Sequence, residues 1–134
     1  MALSTPSLMV WQGILVVPLI GVMDSARAQK FTTELLNRIS NSSVQVVIID
    51  ITGIAEMDLE MAKHLMQTFA AVGLLGSRCI LTGLSASSAR KVADLDIDLH
   101  SLTVRGNLHE GLSLAFSLTG RRVIEPGASE RKRF

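Results

Sequence analysis

The chain has 134 residues, which suits one domain able to bury a single core without a metal or disulfide. Apolar residues make up 48% of it, yet no unbroken apolar stretch approaches the roughly 20 residues of a membrane-spanning helix, so the excess points to buried sheet and subunit contacts. The net charge of +1 is unevenly placed: from Gly120 onward Arg121, Arg122, Arg131, Lys132 and Arg133 face only Glu125 and Glu130, giving the tail +3 and leaving −2 for the rest, which excludes a basic nucleic-acid-binding body. The short basic tail reads as solvated. One cysteine forms no internal bridge, and Met1 to Pro6 lack the basic and long apolar regions of a signal peptide, so a reducing cytoplasm is the expected location.

In chain order, Leu8 to Trp11 and Ile14 to Ile20 are apolar runs separated by Gln12-Gly13, the spacing of a tight hairpin whose first strand lies at a sheet edge. Pro18 has no amide proton, so within the second strand it must face away from a ladder bond or lie at a bulge. Asp24 or Ser25 is placed to cap a helix in which Phe31, Leu35, Leu36 and Ile39 recur at helical spacing, ending near Asn41. Val46 to Ile51 is a nearly unbroken Val/Ile run, the pattern of a strand covered on both faces and therefore central. The seven residues from Thr52 to Asp58 read as a loop, with Asp58 as N-cap of a helix starting at Leu59.

That helix carries Met61, Ala62, Leu65, Met66, Phe69 and Ala70 on one side and Lys63, His64 and Gln67 on the other, with Gly73 and Gly76 as stops. A short strand over Ser77 to Gly83 follows, then a helix capped by Ser85 and running through Ala89, Val92 and Leu95. Leu102 to Val104 reads as a last strand, and Asn107 with Glu110 as a capping-box start for a helix through Leu108, Leu112, Ala115 and Phe116, closed by Gly120. Strands alternating with helices imply an α/β fold, a mainly parallel sheet with one antiparallel strand at the N-terminus and four helices. The domain is expected over residues 8–119, between a tail at 1–7 and the basic tail at 120–134. Functional loops of such sheets gather beyond the carboxyl ends of strands, here Thr52 to Asp58 and Gly83 to Ser88.

No phosphate-cradling glycine motif and no nucleophile elbow occur in the chain. His64, His100 and His109 have no Cys or acidic neighbours at metal-ligand spacing, and neither metal nor cofactor is expected. His64 falls on the polar side of its helix. Cys79 lies within a short apolar strand, where a thiol is more often a small buried hydrophobe than a nucleophile. Asp50, Glu56 and Asp58 gather about the central loop; acid/base work or a cation competes there with a plain cap at Asp58 and a solvated Glu56. Met66 reads as core, whereas Met57 and Met61 are open between core and an adaptable contact surface.

As an ordered set, Gly21-Val22-Met23-Asp24-Ser25-Ala26-Arg27-Ala28-Gln29, Val47 to Ile54, Met57-Asp58, Ala62, His64-Leu65, Gln67 and Leu74 to Gly83 resemble the STAS domain of the sulfate transporter and anti-sigma factor antagonist family. Within it they are most similar to the stressosome branch, the RsbR and RsbS type. The resemblance runs over roughly Leu8 to Leu118. It implies a non-enzymatic switch that assembles with paralogous STAS proteins as a homo- or hetero-oligomer. Such a domain holds an anti-sigma-type serine/threonine kinase (RsbT-like) and releases it on phosphorylation, since phosphate at a helix start adds about two negative charges to a docking face. The switch surface it implies comprises Thr52, Gly53, Glu56, Met57, Asp58, Leu59, Met61 and Lys63, with no nucleic acid or membrane as partner.

The sequence departs from that pattern at both phosphoacceptors. The hydroxyl residue that follows the loop Asp in the family is Leu59 here, and the second acceptor of the RsbR branch falls on Lys91. Neither side chain accepts phosphate, which leaves three readings: a constitutive scaffold or kinase-holding paralogue, a chain read through Ser25, Thr52, Ser85, Ser87 or Ser88, or an engineered variant. With about seven residues ahead of the first strand, the architecture resembles the stand-alone RsbS type, although the segments read closer to RsbR. A competing reading is a ligand- or nucleotide-binding STAS sensor whose pocket lies between the loops after Ile51 and Thr82. An enzyme using Cys79 or the central acids is the third.

Overall fold

The computed structural model describes residues 6–54, 56–95 and 102–121; His100 and the basic tail beyond Arg121 lie outside them. The elements run β1 (Leu8–Trp11), β2 (Ile14–Ile20), α1 (Ser25–Asn41), β3 (Val46–Gly53), α2 (Leu59–Leu74), β4 (Arg78–Thr82), α3 (Ala86–Ala93), β5 (Thr103–Arg105) and α4 (Leu108–Leu118). The sheet order is β1-β2-β3-β4-β5, antiparallel between β1 and β2 and parallel elsewhere. The Val/Ile run therefore sits at the centre, as its lack of alternation predicts. Val47 and Ile49 point into one core with α1, α2 and α3, while Val46 and Ile48 point into a smaller one beneath α4.

The Gln12-Gly13 turn is tight, with Gly13 at φ +81, a backbone conformation that a side chain resists. Pro18 pairs with Asp50, and the β2–β3 register shifts just beyond it, so that Ile20 pairs with Gly53. The missing amide is thus absorbed by an irregularity in which β3 takes one extra residue. Asp24 caps α1 by accepting from the Arg27 amide at 2.8 Å, and Ser85 caps α3 by accepting from the Ser88 amide at 3.1 Å. The box at α4 is offset: Asn107 Oδ1 accepts from the Glu110 amide at 2.8 Å, but Glu110 Oε2 accepts from the Gly106 amide rather than that of Asn107.

Three expectations are corrected. β3 continues through Thr52 and Gly53, so the loop before α2 is shorter than the span from Thr52 to Asp58. Gly73 lies inside α2, and Gly76 at φ +89 makes the stop. The apolar stripe of α2 also turns differently along its second half: Ala70 is exposed, while Thr68 and Val72 are buried. Thr68 is tolerated because its hydroxyl donates to the His64 carbonyl at 3.0 Å and lies 2.7 Å from the Thr32 hydroxyl.

Candidate functional site

The carboxyl ends of β3 and β4 abut closely. A Cβ on Gly83, at φ +81, would collide with Thr52 Oγ1 and approach the Thr52 amide nitrogen to 2.6 Å. On the α4 face of the sheet, Asp50 Oδ1 accepts from Thr82 Oγ1 at 2.7 Å and from Thr52 Oγ1 at 3.0 Å. Asp50 is thereby committed to tying two strands together. Its expected grouping with Glu56 and Asp58 does not form, and among the described residues no set of three or more His, Cys, Asp or Glu side chains is arranged to hold a metal. The Thr82 to Asp50 link spans 32 residues and has no local sequence signal.

From this knot the chain leaves β3 through a turn in which the Ile54 amide donates to the Ile51 carbonyl at 3.0 Å. Ile54 and Met57 are anchored in the core, and Met57 is only 1% exposed. Asp58 then caps α2, accepting from the Met61 amide at 2.7 Å in the favourable field of the helix N-terminus. Met61 is buried as well. Both methionines are thus buried in this fold, unlike the other residues of the expected contact set, and Met61 meets the surface only at the crevice between the starts of α1 and α2.

What remains outside is Thr52, Gly53, Glu56, Asp58, Leu59 and Lys63, all exposed. Leu59 stands 47% exposed in the first turn of α2. Around it Glu56, Asp58 and Glu60 are acidic and Lys63 is basic, so the face is an apolar point in a mainly acidic rim. Asp24 and Ser25 at the start of α1 border it across a crevice of about 30 Å³ that is also lined by Glu60 and His64. His64 is thus half-buried at this crevice rather than freely solvated. Neither Glu60 nor His64 belongs to the expected set; the paired Asp caps at 24 and 58 were the available sign that two helix starts meet here.

A crevice of that size is about one water in volume, against the 300 Å³ or more of an ordinary ligand pocket. The contact of Gly83 with Thr52 closes the space where a pocket between the two loops was expected. Lys91 is half-buried on α3. Of the alternative hydroxyls, Ser25, Thr52, Ser85 and Ser87 are exposed, whereas Ser88 is 4% exposed and is withdrawn from any enzyme. Cys79 is half-buried, and desolvation drives its thiol far above the ordinary value of 9.0, which suppresses the thiolate a nucleophile needs.

The sequence model of the STAS domain matches residues 5–111, and the chain belongs to that family. RsbT co-antagonist protein RsbRA of Bacillus subtilis (strain 168) is 36% identical over 125 residues, covering 93% of this chain and 46% of that protein. An RsbS variant from Moorella thermoacetica superposes with a TM-score of 0.76 at 26% identity, covering 87% of this chain and 97% of that one. A chain of the stressosome, described as a signal integration and transduction hub, gives a TM-score of 0.73 at 25% identity over 86% and 96% of the two chains. Within the family the chain is homologous to these RsbR and RsbS proteins. It spans about half the length of the curated relative RsbRA. No described helix is long and apolar enough to cross a membrane.

Proposed function

We propose that this chain is a non-enzymatic docking protein of a stressosome-type complex, assembling with paralogous STAS proteins in the cytoplasm. Its face around the start of α2 holds a serine/threonine switch kinase of the anti-sigma type. The observation that carries this is Leu59, which stands out directly after the Asp58 cap at the end of the central strand's loop. A partner with an apolar hollow ringed by Lys or Arg fits that face. The resemblance implies a phosphoacceptor at this point and, in the RsbR branch, a second at the position of Lys91. With a hydrocarbon and an ammonium there instead, phosphate cannot be added at either of these two positions to break the contact, and the chain holds its kinase constitutively unless an exposed hydroxyl such as Ser25 or Thr52 is used. The shared ancestry with RsbRA and RsbS supports the partner class.

The ligand-sensor reading gains no support, because the crevice beside the loop holds about one water. The enzymatic one loses Cys79 to desolvation and Asp50 to its two hydroxyl donors.

The test is Leu59→Ser with an RsbT-type kinase and ATP. The expected result is phosphate on the new serine and release of the kinase, while the wild-type chain keeps the kinase bound and takes no phosphate there. Removing a half-exposed Leu costs about 1 kcal/mol of stability, so the variant remains folded. A Leu59→Ser chain that is neither bound nor phosphorylated would refute docking at this face.

A further inference from the structure

We infer that the chain just beyond α4 folds back as an intramolecular strap, in which Val123 and Ile124 cover Leu8 and Trp11 on the α4 side of β1. β1 is short and irregular: its register against β2 shifts between Met9 and Trp11, and its side chains divide between the two faces of the sheet. Leu8 lies opposite Val16 and Trp11 opposite Ile14, which places both on the α4 side, whereas Met9 lies opposite Leu15 and faces the other core. α4 itself lies over β3, β4 and β5, and it meets β1 where the Phe116 ring stands edge-on to Trp11 at 5.8 Å between centroids. Beyond that ring the flank is bare among the described residues, with Leu8 56% and Trp11 52% exposed.

The end of α4 aims the chain at this flank. Gly120 has φ +77 and its amide donates to the Ser117 carbonyl at 3.1 Å, while the Arg121 amide donates to the Phe116 carbonyl at 2.6 Å. That pair of bonds is a Schellman turn, which brings the residue two past the helix end back beside its last turn, here beside Phe116. Arg121 is then fixed a second time: its guanidinium donates at 3.1 Å to the carbonyl of Gln12, the residue that follows Trp11. Ile124 is three residues further on, within about 10 Å of Arg121 in an extended chain, which is also about the length of β1 from Trp11 to Leu8.

Sequence and area select this occupant. Val123-Ile124 is an adjacent β-branched pair at the head of the tail, and Pro126-Gly127 supplies a turn to end an extended run. Neighbouring side chains of an extended segment point to opposite sides, so one of the two always faces the sheet. The exposed parts of Leu8 and Trp11 amount to roughly 200 Å² of apolar surface. A stable complex between separate chains takes about 800 Å² per partner, some four times as much. A tethered segment needs far less, because a short link holds it at an effective concentration in the millimolar range. The flank is thus too small to hold another molecule and sufficient for the chain's own continuation. The inference goes beyond the function proposed above and makes no use of α2, so its failure and that of kinase docking are read separately.

Trp11 is the single tryptophan of the chain, so its emission and its quenching by acrylamide report on this flank. The full chain is to be compared with the double variant Val123→Ser/Ile124→Ser at about 1 and about 100 µM. The expected result is an emission moved to the red and quenching about twofold stronger in the variant, in proportion to the ring area uncovered, with an unchanged circular dichroism spectrum. The difference should be the same at both concentrations. Val123→Ile/Ile124→Val keeps the apolar cover and should quench as the wild-type chain does. Equal quenching in the wild-type chain and the serine variant overturns the inference, as does a conservative variant that behaves like the serine one. Protection of Trp11 that appears only at the higher concentration also overturns it, by giving the flank to a second copy.

Discussion

Two glycines with nearly the same backbone but different surroundings offer a controlled test of what holds the site together. Gly83 has φ +81 and Gly76 has φ +89, so alanine meets similar strain at both, about 1 kcal/mol, partly offset by the lower entropy of the unfolded alanine chain. At Gly76 nothing lies within 4 Å of the added Cβ. At Gly83 the new atom meets Thr52 Oγ1, the Thr52 amide nitrogen at 2.6 Å and its Cα at 2.9 Å, and two of those three are backbone. Overpacking against atoms that cannot rotate away adds about 2–3 kcal/mol. Gly76→Ala should therefore cost about 0.5–1 kcal/mol, and Gly83→Ala about 3–4 kcal/mol. For a chain of this size that is a melting temperature lowered by roughly 3 °C against 10 °C or more. Urea unfolding followed by circular dichroism reads the two midpoints. Adding Thr52→Ala to Gly83→Ala should restore only part of the loss, since the Thr52 main chain stays where it is. Equal midpoints for the two glycine variants would refute the claim that the ends of β3 and β4 are packed against each other.

Two further outcomes follow from the same geometry. Asp58→Ala removes the acceptor of the Met61 amide and the charge at the start of α2, and should cost about 1–2 kcal/mol; Asp58→Asn keeps the acceptor and should cost under about 0.5 kcal/mol, both read by urea titration. Loss of kinase retention in the alanine variant but not in the asparagine one is expected if the cap positions Leu59. For Cys79, burial raises the thiol above its ordinary 9.0, so between that value and the folded one the native state binds more protons than the unfolded state. Stability from this group is complete below pH 9 and falls as pH rises beyond it, by up to about 1.4 kcal/mol per pH unit. Cys79→Ala should lessen the alkaline decline, and a wild-type stability flat from pH 8 to 10.5 would contradict the burial.

Period and punctuation made most elements legible before any coordinates. The unbroken Val46 to Ile51 run marked the central strand, Gln12-Gly13 the hairpin, and Asp24, Asp58, Ser85 and Asn107 the four helix starts, because each signal acts within a few residues. The site was half legible for the same reason. Asp58 as cap and Leu59 beside it are local facts, and the lack of a hydroxyl at position 59 is plain in the letters alone. Whether Met57 and Met61 face a partner was undecided, since a methionine's type is equally suited to core and contact; in the fold both are buried in the same core cluster as Ile49 and Leu65.

Local order in the chain, then, determined the strands, helices, caps and the apolar residue that follows the Asp58 cap. Three-dimensional packing alone decided that Asp50 is bound to Thr82 across 32 residues, that Gly83 seals the gap over Thr52, and that Trp11 of β1 meets Phe116 of α4. Each of those depends on which distant segments become neighbours, and backbone propensity carries no information about that.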